Sequence, residues 1–207
     1  MRLSKTVYLE GSPEKAARFF LGKLLCVDSP QGVVKGIIYE TEAYGGAEDK
    51  ACHGFGNRRT ERTKIMFEQG GIAYVYFTYG MHFLLNFVTG AADEPKAVLV
   101  RGVWITAGAQ IARDRRGEKF KHAQLSNGPG KVCQAFGIDK SLNAADLTGE
   151  KIWVEDAGYQ AEQSEIEATP RIGINYAQEW AAKPWRFVWK RDFSSSPSPT
   201  PHYQTGE

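Results

Sequence analysis

Two glutamates two residues apart, Glu40 and Glu42, stand in the stretch IYETEAYGG at positions 38–46, between tyrosines and after an apolar run. Side chains alternate along a strand, so Glu40, Glu42 and Tyr44 share one face if the strand extends that far. Carboxylates at i and i+2 sit about 7 Å apart. At an effective dielectric near 20 their repulsion is about 2.4 kcal/mol, or roughly 1.7 pKa units shared between them. Burial pushes the same way. A carboxylate with a raised pKa accepts protons well near neutral pH, as a general base must. The alternatives are two surface acids, or one acid tied to an arginine as a structural pair, and alternation alone does not choose between the two glutamates.

The second chemically rich stretch is AYVYFTYGMH, residues 73–82. Tyr74 and Tyr76 share one face of the expected strand, and Val75, Phe77 and Tyr79 the other. Tyr74, Val75 and Phe77 are read as core. Tyr79 and Met81 flank Gly80 at a hairpin tip, where exposed apolar groups call for a reason. Proteins that distort duplex DNA insert such wedges between base steps.

A metal centre is not indicated. Cys26, Cys52 and Cys133 are widely spaced with no CxxC, and His53, His82, His122 and His202 form no HxxxH pair. The odd number of cysteines also argues against a disulfide framework. The segment SNGPGK (126–131) resembles a phosphate loop only loosely, because Gly130-Lys131 is followed by valine. A glycine-rich helix start there can still meet one backbone phosphate, with Lys131 as a candidate DNA contact, or it is a plain helix start.

The elements that must position these residues follow from local signals. Ser12-Pro13-Glu14 opens a helix with a capping serine, a proline at the first position and an acid near the dipole. Its apolar face is drawn from Ala16, Ala17, Phe19, Phe20, Leu24 and Leu25, with Gly22 near the end. LLCVD, a turn at Ser29–Gly32 and VVKGIIYETEAY read as strand, turn, strand. Residues 45–70 read as a long functional loop. IAYVYFTYG, HFLLNFVTG, AVLVRGVWI and KIWVED read as strands, as do RIGI and WRFVWK near the end. Helices are expected at about 107–116 and 129–136, with a turn or short helix at 179–182.

The expectation is one α+β domain over residues 1–193, with a mostly antiparallel mixed sheet, surrounding helices and a protruding β-hairpin. Residues 194–207 have the composition of a disordered tail. With 207 residues and 42% hydrophobic content, the chain suffices for one well-filled core. No apolar run reaches the roughly 20 residues of a membrane span, and the first residues lack a secretion pattern. A soluble, cytoplasmic monomer is expected. Charge is segregated: residues 101–131 carry seven Lys/Arg against two acids, and residues 146–167 seven acids against one lysine. Such a split suits either two solvated loops or one face for a polyanion. Should the chain bind a nucleic acid, Arg58, Arg59, Arg62 and Lys64, together with the 113–121 segment, are the candidates to contact its phosphates.

Taken together, ETEAY (40–44), His53, NRRTERTKIMF (57–67), YVYFTYGMHFLLN (74–86), VLVRG (98–102), GPGKVCQAFGI (128–138) and RIGI…EW…KPWRF (171–187) resemble the alkyladenine (3-methyladenine) DNA glycosylases. The resemblance runs in order from about residue 3 to residue 190. It implies a monofunctional repair enzyme without metal or organic cofactor, acting on duplex DNA that contains damaged purines. In a bacterium such an enzyme would work at the nucleoid. Carried over by position, Glu42 is the general base and Arg101 an arginine near the water and the target nucleotide. Tyr44, His53 and Tyr76 wall the base pocket, with Ile174 in the late RIGI block. Asn86 crowds the exocyclic amine of normal guanine, and Tyr79 is the wedge. No lysine sits where a Schiff-base nucleophile would be expected, in keeping with base release without strand cleavage. Two departures stand out: Asn175 follows Ile174 where the family can carry a smaller residue, and the chain is short at its start, as in bacterial members. The competing reading is a non-catalytic nucleic-acid-binding module on the same fold, which would not need Glu42.

Overall fold

The computed structural model describes residues 1–194, and the expected tail beyond Ser194 lies outside the described residues. Helix α1 (Pro13–Phe19) starts as its cap foretells, with Ser12 Oγ accepting from the Lys15 amide at 3.4 Å. Ala16, Ala17 and Phe20 are buried, but Phe19 is exposed, and Leu24 and Leu25 belong to the next strand instead of the helix face. Gly22 forces that division: its φ is +85°, and a Cβ there would lie 2.7 Å from the Tyr159 carbonyl oxygen.

The sheet is built around β2 (Gly32–Tyr44), a thirteen-residue strand that reads as one long β-branched and aromatic run. Its first half pairs with β1 (Leu24–Ser29), and its far side pairs with β5 (Lys96–Ala107). β3 (Ala73–Thr78) and β4 (His82–Thr89) form the hairpin beyond β5, and β6 (Ile152–Glu155) closes the edge beyond β1. Where β1 ends, β8 (Arg186–Trp189) takes its place beside Glu40–Glu42, and β7 (Ile166–Thr169) pairs with β8. Every strand pairing is antiparallel, which makes the fold an α+β single domain. Glu42 thus lies on a strand with neighbours on both sides, Leu99 of β5 and Arg186 of β8.

The two faces of β2 differ in use. Thr41 points at α1 and donates to the Ala17 carbonyl at 2.8 Å, on the side of the main core. Glu40, Glu42 and Tyr44 point the other way, despite register shifts near Glu40. The loop at 45–70 is not loose: three short 3₁₀ turns run through it, and Cys52, Met66 and Phe67 pack with Tyr74, Val88 and Ala97 in a second core.

RIGI is not a strand. The strand is the preceding Ile166–Thr169, stopped by Pro170, and Gly173 at φ +80° turns the chain into a loop. Helices α2 (Ala109–Arg116) and α3 (Pro129–Phe136) match their expected positions. The arginines of α2 are engaged internally. Arg115 donates to Ser29 Oγ and the Ala135 carbonyl, Arg116 to the Leu125 carbonyl and Arg113 to the Phe120 carbonyl. They gather near the Gly32 end of β2, roughly 30 Å along the strand from Glu42. Each of the three guanidinium groups expected at phosphates thus has internal partners as well.

Candidate active site

Glu42 is fully buried and held by three donors. Its Oε1 accepts from the Ile172 amide at 2.8 Å and lies 3.4 Å from Arg101 Nη1, while its Oε2 accepts from the Tyr44 hydroxyl at 2.9 Å. Glu40 has a different employment: its Oε1 accepts from Arg101 Nε at 2.9 Å and from Arg186 Nε at 2.6 Å. The structure thus separates two acids that alternation alone left equivalent. Glu40 anchors two arginines, and Glu42 carries one shared arginine and two neutral donors.

Burial raises the Glu42 pKa, against the lowering pull of Arg101, the Ile172 amide and the Tyr44 hydroxyl. Tyr44 is pushed well above the usual phenol range by burial and by Glu42 itself, so it remains a proton donor to the carboxylate. For Arg101 burial works against the charge, yet Glu42 and Glu40 outweigh it and the guanidinium stays ionised.

Above this floor opens a cleft of about 280 Å³, lined by Tyr44, His53, Tyr76, Asn86, Arg101 and Ile174 among others. β3 and β4 supply one wall. Tyr74 and Tyr76 project from the same face of β3, their rings 5.3 Å apart, and the His53 ring meets Tyr76 edge-on at 4.7 Å. His53 Nδ1 lies 2.9 Å from the Tyr74 hydroxyl, and Arg62 Nη2 lies 3.4 Å from Nε2. A guanidinium can only donate, so Nε2 accepts and the ring proton sits on Nδ1. Burial, reinforced by Arg62, lowers the His53 pKa to about 4, which keeps the ring neutral. Asn86 is buried opposite Tyr74 and donates its amide to the Tyr74 carbonyl at 3.2 Å.

The hairpin tip overhangs the cleft. Tyr79 (φ 51°) and Gly80 (φ 67°) are both left-handed, and Met81 N–H closes the turn on the Thr78 carbonyl at 3.2 Å. Tyr79 is 82% exposed and Met81 69%. Phe77, expected in the core, is half exposed and meets the tilted ring of Phe83 near the tip, 5.1 Å between centroids, since its face of β3 is not covered there.

The basic residues divide. Arg62 reaches into the cleft, its guanidinium 4.8 Å from the Tyr76 ring centroid. Arg58 is exposed beside it and, with Arg62, lines a neighbouring hollow. Arg59 pairs with Asp93 and covers Phe67, and Lys131 on α3 donates to Asn127 at 2.9 Å. Asn175 is exposed and not part of the cleft wall, whereas Tyr176 is. Sequence reasoning overlooked Tyr74, Ile172 and Tyr176 as wall residues. Only Tyr74 carried a signal, by alternation with Tyr76. Among the described residues, no cluster of His, Cys, Asp or Glu could hold a metal ion.

The arrangement can take a flat aromatic group between tyrosines and bring it to a buried proton acceptor. That defines an aromatic-walled pocket above a buried carboxylate. The model of the methylpurine-DNA glycosylase (MPG) family matches residues 7–193. A relative from Clostridium novyi, named "Putative 3-methyladenine DNA glycosylase", is 42% identical over 196 residues, covering 91% of this chain and 95% of its own. Relatives of the same name from Chlamydia felis (42% identical, covering 90% of this chain and 95% of the relative) and Methanocella arvoryzae (44%, covering 85% and 86%) agree. The chain belongs to the methylpurine-DNA glycosylase family.

Proposed function

We propose that this protein is a base-excision repair enzyme that extrudes alkylated or deaminated purines from duplex DNA and hydrolyses their N-glycosidic bond, leaving an abasic site. The substrate class is 3-methyladenine, 7-methylguanine, hypoxanthine and ethenoadenine. The observation that carries the reading is Glu42, buried, hydrogen-bonded twice and paired with Arg101 beneath an aromatic cleft that an exposed tyrosine overhangs.

In this reading Tyr79 enters the duplex and fills the gap the extruded nucleotide leaves. Tyr44, Tyr76 and His53 take the base between them. Methylation at N3 or N7 makes a purine cationic, and cations are attracted to tyrosine faces. It also weakens pairing and improves the leaving group, which lowers the cost of extrusion. Glu42 accepts the proton of a water attacking the sugar C1′, and its charge stabilises the oxocarbenium-like sugar of the transition state. Tyr44 and Ile172 bond the ionised carboxylate and aim it, and Arg101 keeps it charged. Asn86 limits the space for an exocyclic amine and so disfavours normal guanine. Arg58 and Lys131 meet backbone phosphates. The protein acts as a monomer away from membranes, and water is the only co-reactant.

The test is direct. Methylated duplex DNA is incubated with the protein, released bases are separated by chromatography, and the strand is examined before and after alkali. Free damaged purines with a strand that breaks only after alkali are expected. No released base would refute the reading, and a nick without alkali would refute its hydrolytic, non-lyase form.

A further inference from the structure

Arg171 and Asp49 lie outside the cleft, yet both side chains are fully buried. Arg171 Nη1 and Nη2 grip both Asp49 oxygens, at 2.5 and 2.9 Å. Asp49 is completed by the amides of Gly45 (2.9 Å) and Ala51 (3.0 Å), so it gathers the first turn of the loop after β2. Arg171 also donates to the Ala43 carbonyl at 2.9 Å and the Trp180 carbonyl at 3.2 Å. Its guanidinium lies near the Tyr44 and Trp185 rings, 4.9 and 5.1 Å from their centroids.

Ala43 stands between Glu42 and Tyr44, and Ile172 follows Arg171. The pair therefore ties the strand that carries the carboxylate to the loop that carries its backbone donor. The Ile172 side chain is half exposed, so its own burial does little to fix the amide that bonds Glu42. Packing alone does not demand a buried ion pair, since apolar residues of similar volume often stabilise a fold as well. A bidentate pair adds fixed direction.

We propose that Arg171 and Asp49 are positioning residues that hold the Ile172 amide against Glu42 and so keep the carboxylate aimed and ionised. This rests on the reading of Glu42 as the proton acceptor. The charged and titratable groups that face Glu42 are Glu40 and Tyr44 from β2, Arg101 from β5, Tyr76 from β3 and, through Glu40, Arg186 from β8. The Arg171→Lys and Asp49→Asn variants leave all of these in place. Losing the amide withdraws a bond from the ionised form alone, which raises the pH at which Glu42 becomes active.

The experiment uses a duplex carrying a lesion that the parent protein releases. It measures single-turnover base release from pH 5 to 9 for the parent, Arg171→Lys, Asp49→Asn and Ile172→Ala, with lesion-duplex affinity and thermal unfolding alongside. For Arg171→Lys a tenfold or greater loss of rate at neutral pH is expected, with affinity within about twofold of the parent and the acidic limb moved to higher pH. Asp49→Asn, which keeps the arginine, is read by the same limb if Arg171→Lys does not fold. Ile172→Ala retains the amide and should leave the limb in place. An active parent whose variants lose rate with an unmoved limb, or lose rate only as they lose affinity, overturns the inference alone. An inactive parent overturns the proposed function and this inference with it.

Discussion

Replacing Glu42 by glutamine should stabilise the protein while removing its chemistry. The amide is nearly isosteric with the carboxylate: its oxygen can accept from the Ile172 amide and its nitrogen can donate to the Tyr44 hydroxyl. Arg101 keeps its 2.9 Å bond to Glu40. What disappears is a charge at a site with no exposure, and the Glu42 pKa lies above its ordinary value because burial outweighs Arg101, Ile172 and Tyr44. Below the unfolded pKa of about 4.3 both states hold the proton, so the carboxyl imposes no penalty there. As pH rises toward the folded pKa, the parent loses about 1.36 kcal/mol per unit, and the loss is constant beyond it. Replacing buried ionic groups by neutral ones of similar shape is often worth about 1–4 kcal/mol. Taking about 2 kcal/mol, a chain of this size should gain roughly 4–8 °C in Tm. The assay is thermal unfolding of parent and Glu42→Gln at pH 4 and pH 7. A gain at pH 7 that shrinks at pH 4 is expected. Equal stability at pH 7, or a less stable variant, would refute the argument that burial dominates at Glu42.

Three other outcomes follow from the site. Tyr79→Ala should change stability by no more than about 0.5 kcal/mol, because the side chain is exposed, yet weaken duplex binding far more than single-strand binding; equal losses on both would remove the wedge. Arg62→Gln should raise release of cationic 7-methylguanine relative to neutral hypoxanthine, since the guanidinium now lies over the Tyr76 face and repels a like charge; an unchanged ratio measured on paired duplexes would contradict this. Arg58→Ala should reduce the slope of log affinity against log salt by about 1, as expected for one lost phosphate contact, and titration at several salt concentrations would expose a slope left unaltered.

Much of the site's frame could be read from local signals. The Ser12 cap, the limits of α3 and the Tyr79-Gly80 turn depend on neighbouring residues, and all appear where those residues place them. The shared face of Glu40, Glu42 and Tyr44 follows from alternation along β2, and it survives the register shifts there. What divides the two acids is remote. Arg186 and Ile172 come from about 130 to 146 residues away in the chain, and β8 must replace β1 beside β2 before they arrive. RIGI misleads because its apolar residues suit a strand, while Pro170 and the left-handed Gly173 rule one out. Phe77 misleads for a related reason: alternation assigns a face, but only the neighbouring layers decide whether that face is covered. Likewise the charge run at 113–116 says nothing of the carbonyls that Arg113, Arg115 and Arg116 find within the fold.

The central claim is that Glu42 activates the attacking water, and single-turnover base release by the parent and by Glu42→Gln tests it most directly. Each is assayed on the same lesion duplex with affinity measured in parallel. Binding close to that of the parent is expected, with base release reduced at least a hundredfold, in the range general bases contribute (about 10²–10⁴). Release by Glu42→Gln at a rate near the parent's would contradict the claim.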